Sequence, residues 1–234
     1  MTGADHDPSL EHETVALVLA AGAGSRLGGV PKCLIRLGGL TLLDRQLAAL
    51  AEVGIEHVKV VVGHHGDAIA SHLHLINSRR PPQVLRNPTP GDDPADSLQL
   101  GLRSLVAMPE RLLVLVSDLP LLGAPALRAA LAAFDARDRR QHVLVPTVNG
   151  TPGHPAVLDA HACALLRNHS GGLRAWRRTQ PEAVRLWATT DEAHVRDVDT
   201  PDDLARLAAD TGLSVRLPSA PPSRDLPQCG IDNG

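Results

Sequence analysis

Apolar residues follow two rhythms along this chain of 234 residues, and the two alternate. Unbroken apolar runs such as "TVALVLA" at 14–20 suit a strand buried on both faces. Between such runs the apolar positions recur every three or four residues. Leu43, Leu47 and Leu50 mark a helix that Gly54 closes, and Ile69, Leu73 and Ile76 mark another. "HVKVVV" at 57–62, "QVLR" at 83–86 and "HVLVP" at 142–146 read as strands, and "RLLVLVSD" at 111–118 is the strongest of all. Leu98, Leu102 and Leu105 continue a helix expected to open with Asp93 as N-cap, Pro94 in the first turn and Asp96 as a capping-box acid. Leu127, Leu131 and Phe134 mark the next helix. "RDVD" at 196–199 reads as a short strand. "TPDDL" at 200–204 then opens the last helix, with Thr200 as cap, Pro201 in the first turn and Asp203 as the capping acid.

This alternation predicts a single α/β domain over residues 14–211, a mainly parallel sheet with helices on both faces. No linker and no internal repeat interrupts it. Residues 1–13 read as a flexible, solvated leader, and residues 212–234, rich in proline and polar side chains, as a disordered tail.

Composition narrows the function. With one Phe, two Trp and no Tyr, the core must come from Leu, Val, Ile and Ala, and stacking platforms for single-stranded nucleic acid are hard to build. A net charge of -3 gives no basic footprint for a nucleic-acid backbone. Cys33, Cys163 and Cys229 are odd in number and widely spaced, which argues against a disulfide framework and a cysteine zinc site. The first residues lack the apolar core of a signal peptide, and no run approaches the roughly 20 residues that span a bilayer. The expected partner is a small molecule, and the expected address the cytoplasm.

The chemistry gathers in "LVLAAGAGSRLGGVPKCL", 17–34, directly after the first strand. In an open parallel sheet, ligands sit beyond the carboxyl ends of the strands. Gly22, Gly24, Gly28 and Gly29 can turn backbone N–H groups towards one anion, and Arg26 and Lys32 can neutralise a triphosphate. An ordinary glycine-rich turn with two solvated cations is the plainer alternative. A Walker P-loop is excluded because no Gly-Lys-Ser/Thr ends the loop. The dinucleotide fingerprint fails because Leu27 stands where glycine is needed and "GHHG" where an acid should follow the second strand. His64, His65, His72 and His74 read as surface residues rather than a metal site.

"LAAGAGSRLGGVPK" resembles the signature loop of nucleotidyltransferases that join a nucleoside triphosphate to a phosphorylated acceptor. Within these the chain most resembles the molybdenum cofactor cytidylyltransferases, related to the molybdopterin guanylyltransferases. The resemblance spans residues 15–208, through "GHHGDAI", "NP" at 87–88, "DSLQLGL", "SDLP", "PGHP" and "DVDTPDDL". It implies a Rossmann-like three-layer fold of the nucleotide-diphospho-sugar transferase type.

The resemblance also implies roles. Leu19, Ala20, Ala21, Gly22, Gly24, Ser25, Arg26 and Lys32 would hold the nucleotide, with Asn87 and Ser97 lining the cleft. Arg26 and Lys32 would stabilise the transition state as catalytic cations. Asp118 would bind Mg2+, although an Asp-Leu-Pro turn that merely ends the strand accounts for it too. Asp197 is the preferred second ligand and Asp199 the alternative. Gly153 and His154 would meet the acceptor, the imidazole donating to a phosphate or pterin, unless "GHP" is only a turn. "LAAG" in place of "LAGG" favours CTP. Asp93, where the family often has glycine, leaves the acceptor open. It could be molybdopterin, with possible handover to a molybdoenzyme or its chaperone, or a sugar phosphate, phosphocholine or phosphonate. A non-catalytic nucleotide- or cofactor-binding protein is the rival from another class.

Overall fold

The computed structural model of the protein describes residues 14–76, 80–91, 93–169 and 171–218. The expected leader and most of the expected tail lie outside the described residues. The first strand, β1 (Thr14–Ala20), is followed by the glycine loop and a small hairpin, β2 (Arg36–Leu37) and β3 (Leu40–Thr41). Then come α1 (Leu42–Glu52), β4 (His57–Val62), α2 (Gly66–His74), β5 (Gln83–Arg86), α3 (Ala95–Arg103), β6 (Arg111–Val116) and α4 (Ala124–Asp135). The second half carries β7 (Val143–Val148), β8 (Thr151–Pro152), β9 (Ala156–Leu158), α5 (Ala160–Leu166) and α6 (Gly172–Thr179). It ends with β10 (Val184–Ala188), α7 (Pro201–Thr211) and β11 (Val215–Arg216).

The main sheet runs β10-β7-β9-β6-β1-β4-β5, with β8 paired to β7. β1 lies parallel to both β4 and β6, and only β8 and β9 run against the rest. The period of two along β1 explains the layers. Ala16, Val18 and Ala20 face one core with Leu43 and Leu50 of α1, Ile69 of α2, and Leu127 and Phe134 of α4. Val15, Leu17 and Leu19 face the other, with Leu98 and Leu102 of α3, Cys163 and Leu166 of α5, and Trp176 of α6. A third cluster lies under the glycine loop, where Leu27, Ile35 and Leu37 pack on Val198 and on Leu204 and Leu207 of α7.

Three local expectations need correction. The third helix starts at Ala95 without a side-chain cap at its flanking Pro94, so Asp96 completes no capping box. Asp93 instead sits one residue further out and accepts the Ala95 N–H at 2.9 Å, a local turn that its short side chain favours. "RDVD" forms no strand; it crosses the end of β6, where the Val198 N–H donates to the Asp118 carbonyl at 3.1 Å. The expected tail also begins with structure. Val215 pairs with Leu37, and the Gly38 N–H donates to the Ser214 carbonyl at 2.9 Å, because Val215 still has apolar surface to cover on the third cluster.

The last helix opens as the sequence predicts. The Asp203 N–H donates to Thr200 Oγ1 at 3.2 Å, and the Thr200 N–H donates to Asp203 Oδ2 at 2.8 Å. The Thr200 hydroxyl, aided by the N–H groups of Asp199 and Thr200, holds the Asp203 carboxyl down to about 2. A carboxyl depressed in the folded state stabilises above its ordinary 3.8, and that contribution is lost as pH falls through about 2. Thr200→Ala is therefore expected to cost about 1 kcal/mol in urea denaturation at neutral pH. The gap from the native protein should narrow as pH falls below 3.8.

Candidate active site

β1 has β4 on one side and β6 on the other, so the direction of sheet growth reverses between β1 and β6. Such a switch point opens a crevice beyond the strand ends. Here the crevice is a cleft of about 180 Å3, lined by Leu19–Gly22 at the end of β1, Lys32 from the loop, Ser97 from α3, and Ser117 and Asp118 after β6.

The loop is held in shape by its own backbone. Gly24 sits at φ 64°, and a Cβ there would lie 2.0 Å from the Val30 carbonyl oxygen, so no other residue fits. The N–H groups of Leu27 and Gly29 both donate to the Gly24 carbonyl, at 2.9 and 3.0 Å. Leu27, at the position where a dinucleotide loop needs glycine, is buried and anchors the loop onto α7. From the side, His65 Nε2 donates to the Ala23 carbonyl at 2.9 Å. This corrects its reading as a surface residue. His72 is likewise no free surface group, since its Nε2 bonds Asp44 Oδ1 at 2.8 Å.

Charge concentrates at one edge of the cleft. Asp118, Asp197 and Asp199 each offer a carboxylate oxygen, and these oxygens all lie within 4.8 Å of one another. Lys32 Nζ donates to Asp118 Oδ2 at 3.0 Å and also to Asp199 Oδ1. Arg26 Nη1 donates to Asp199 Oδ2 at 2.5 Å, although its side chain is 71% exposed. Burial is the largest influence on the Lys32 ammonium and opposes its charge. The carboxylates of Asp118 and Asp199 together outweigh it and raise its pKa. Asp197 is exposed by surface area, yet its carboxyl is held above the ordinary value. Surrounding protein and then the Asp118 and Asp199 charges are the causes, and Lys32 only partly compensates. Hard oxygen ligands crowded in this way fit a divalent cation such as Mg2+. The structure brings both Asp197, the preferred second ligand, and Asp199, its alternative, to Asp118.

The remaining candidates separate. Gly24 and Ser25 shape the turn beside the cleft rather than its wall. Asn87 is buried behind the wall, where Nδ2 donates to Ser97 Oγ at 3.2 Å and Oδ1 accepts the Thr89 N–H at 3.1 Å. Gly153 and His154 line a second cavity of about 660 Å3 that shares Leu19, Asp93, Pro94 and Val116 with the first. A Cβ on Gly153 would lie 2.2 Å from the His194 carbonyl oxygen, so this turn must press on residue 194.

His154 is placed differently from its expected use. Its Nδ1–H donates to the Val114 carbonyl at 3.1 Å, and burial holds its pKa below the ordinary 6.5. The ring is thus neutral near pH 7 with a lone pair on Nε2. In that form Nε2 is a hydrogen-bond acceptor.

Two supporting residues escaped the sequence reading. Gln46 Nε2 donates to the Val116 carbonyl at 2.8 Å and braces the end of β6. His194 Nδ1 donates to the His154 carbonyl at 2.7 Å, while the His154 N–H donates to the His194 carbonyl at 2.8 Å. The signal for Gln46 was a polar residue on the same helical face as Leu43 and Leu50. His194 carried none. Cys33 and Cys163 are buried thiols pushed up to about 12 by burial and are inert.

A family model for the MobA-like NTP transferase domain matches residues 16–184. The chain belongs to this family of nucleotidyltransferases. It is 33% identical over 205 residues to the bifunctional protein GlmU of Mycobacterium avium, a match covering 85% of this chain and 40% of GlmU. The chain thus spans less than half the length of that relative. It is 29% identical over 200 residues to the nicotine blue oxidoreductase of Paenarthrobacter nicotinovorans, covering 82% of this chain and 94% of the relative. Among solved structures, the manganese complex of Rv0371c from Mycobacterium tuberculosis superposes with a TM-score of 0.64. That match is at 22% identity over 83% of this chain and 97% of the other, a likeness of fold.

Proposed function

We propose that the protein is a magnesium-dependent cytidylyltransferase that joins CTP to molybdopterin, working in the cytoplasm upstream of a molybdoenzyme or its chaperone. The observation that carries the reading is the Lys32 ammonium set between Asp118 and Asp199 at the sheet's switch point. Nucleotidyl transfer brings two anions together, so charge neutralisation and alignment dominate it. An oxygen of the acceptor phosphate bonds the α-phosphorus, the bond from that phosphorus to the bridging oxygen breaks, and pyrophosphate leaves with the electron pair. The attacking phosphate is already ionised, so no general base is required.

Asp118, Asp197 and Asp199 would hold the cation, which supplies positive charge to the phosphate oxygens. Lys32 and Arg26, released from the carboxylates they now neutralise, take the triphosphate. The Ala21 methyl in the cleft wall sets how closely a base approaches the backbone, which supports CTP over GTP. Another nucleoside triphosphate, or a sugar phosphate, phosphocholine or phosphonate acceptor, keeps the same chemistry. The name of one relative favours a second reading, an oxidoreductase. Against it, the position that a dinucleotide loop gives to glycine is filled here by buried Leu27.

Pyrophosphate release with each of CTP, GTP, ATP and UTP plus Mg2+, with and without molybdopterin, tests the proposal. Release only with CTP and molybdopterin is expected. Silence with every nucleotide and acceptor overturns it, and turnover of nicotine blue with a reduced nicotinamide would establish the second reading instead.

A further inference from the structure

We propose that the larger cavity seats the acceptor, and that Arg174 and Arg177 of α6 clamp the phosphate of a molecule whose body is apolar or heteroaromatic rather than a sugar. The inference rests on the nucleotidyltransferase reading and names the chemical class of its second substrate.

At about 660 Å3 the cavity is the roomier of the two that meet at Leu19 and Val116, so its occupant lies beside whatever fills the glycine-loop cleft. Its walls include Leu98, Val114, Val145, Ala156 and Leu173. Such walls accept an apolar or heteroaromatic body without loss. They offer few partners to the hydroxyls of a sugar, which would give up water on entry.

The polar groups are few. His154 presents a lone pair. Asp93, a lining carboxylate, already accepts the Ala95 N–H at 2.9 Å. Arg174 and Arg177 stand three residues apart on α6, a spacing that puts two helical side chains on one face. Buried Trp176 fixes that helix to the core, so the pair is carried on a rigid element. Neither guanidinium is paired with a carboxylate among the described residues. By contrast, Arg137 is held by Asp159 at 3.2 Å. Two unpaired guanidinium groups at the mouth of an apolar cavity match a phosphate, which they can bond in a bidentate manner. They would also offset the repulsion as the acceptor phosphate nears the triphosphate.

Titration calorimetry with phenyl phosphate, inorganic phosphate and glucose 1-phosphate tests this on the native protein and on the R174A/R177A variant. Phenyl phosphate is expected to bind the native protein more tightly than either other probe, and to lose at least about tenfold in the variant. CTP binding with Mg2+ should stay the same in both proteins, which also shows that the variant is folded. No binding of phenyl phosphate, equal binding in the two proteins, or glucose 1-phosphate binding as tightly, would each overturn the proposal. These titrations need no turnover. Absence of pyrophosphate release would therefore sink the functional reading alone and leave this one to be judged by binding.

Discussion

Asp118→Asn is expected to cut pyrophosphate release by about a thousandfold or more while the protein stays folded. The substitution keeps the shape of the side chain and removes its charge. Asp118 leads out of β6, the strand beside β1, and its carboxylate lies with Asp197 and Asp199 where oxygens approach within 4.8 Å. Losing one of the three proposed ligands would weaken the hold on a divalent ion and misplace the α-phosphate, and both effects act on the transition state. Stability should change by less than about 1 kcal/mol, because the pair is partly exposed and Lys32 keeps Asp199. The Asp118 carbonyl, which accepts the Val198 N–H at 3.1 Å, belongs to the backbone and is untouched. Single-turnover rates, thermal unfolding and a Mn2+ titration on the same preparation check all three statements. An unimpaired rate would remove Asp118 from the site.

β1, β4 and β5 fall at the predicted residues, Thr14–Ala20, His57–Val62 and Gln83–Arg86, although only β1 is an unbroken apolar run buried nearly throughout. The short strands between residues 147 and 195 escape the sequence pattern for a physical reason. β8 and β9 are two and three residues long, and β10 shows a broken pattern with Leu186 60% exposed. None of these carries enough periodicity to be seen. β9 also runs antiparallel between β6 and β7, a pairing that only tertiary contacts specify. The missed strand in the expected tail has the same origin. Leu213, Val215 and Leu217 do alternate, but β11 is only two residues long and its partner Leu37 is distant in sequence.

The site was legible where chemistry depends on residue type at a strand end, and illegible where it depends on what stands behind. Asp118 follows an apolar run and Lys32 ends the glycine loop that follows another, and the structure brings them to 3.0 Å. Asn87 is polar and follows a strand too, yet it supports Ser97 instead of facing the cleft. A strand-end position cannot say which way an amide points. The larger cavity is harder still, because its walls are drawn from β6, β7, β9, α3 and α6. Nothing in the sequence pattern marks Arg174 and Arg177. What singles them out is the apolar cavity they border.

Lys32→Met is expected to separate metal binding from turnover. In the native protein the ammonium holds Asp118 and Asp199, so it competes with a cation for the same oxygens. Without it, those carboxylates and Asp197 repel one another, with Arg26 alone among the described residues left to pair with them. The variant should therefore bind Mn2+ more tightly than the native protein when no nucleotide is present. Its stability without metal should fall by about 1 to 2 kcal/mol and recover when Mg2+ is added. Turnover should nevertheless drop by about a hundredfold to a thousandfold, because the positive charge that meets the triphosphate is gone. The sign of the pH dependence follows from the raised Lys32 pKa. A cation whose pKa is raised on folding contributes fully below its ordinary 10.5, and that contribution is lost only as pH rises through the higher folded value. The stability gap between native protein and variant should then be flat through neutral pH and close only in strong alkali. Equal Mn2+ affinity in the two proteins would mean that the lysine does not occupy the cation's place, and the proposed exchange of Lys32 from carboxylate to phosphate would fall with it.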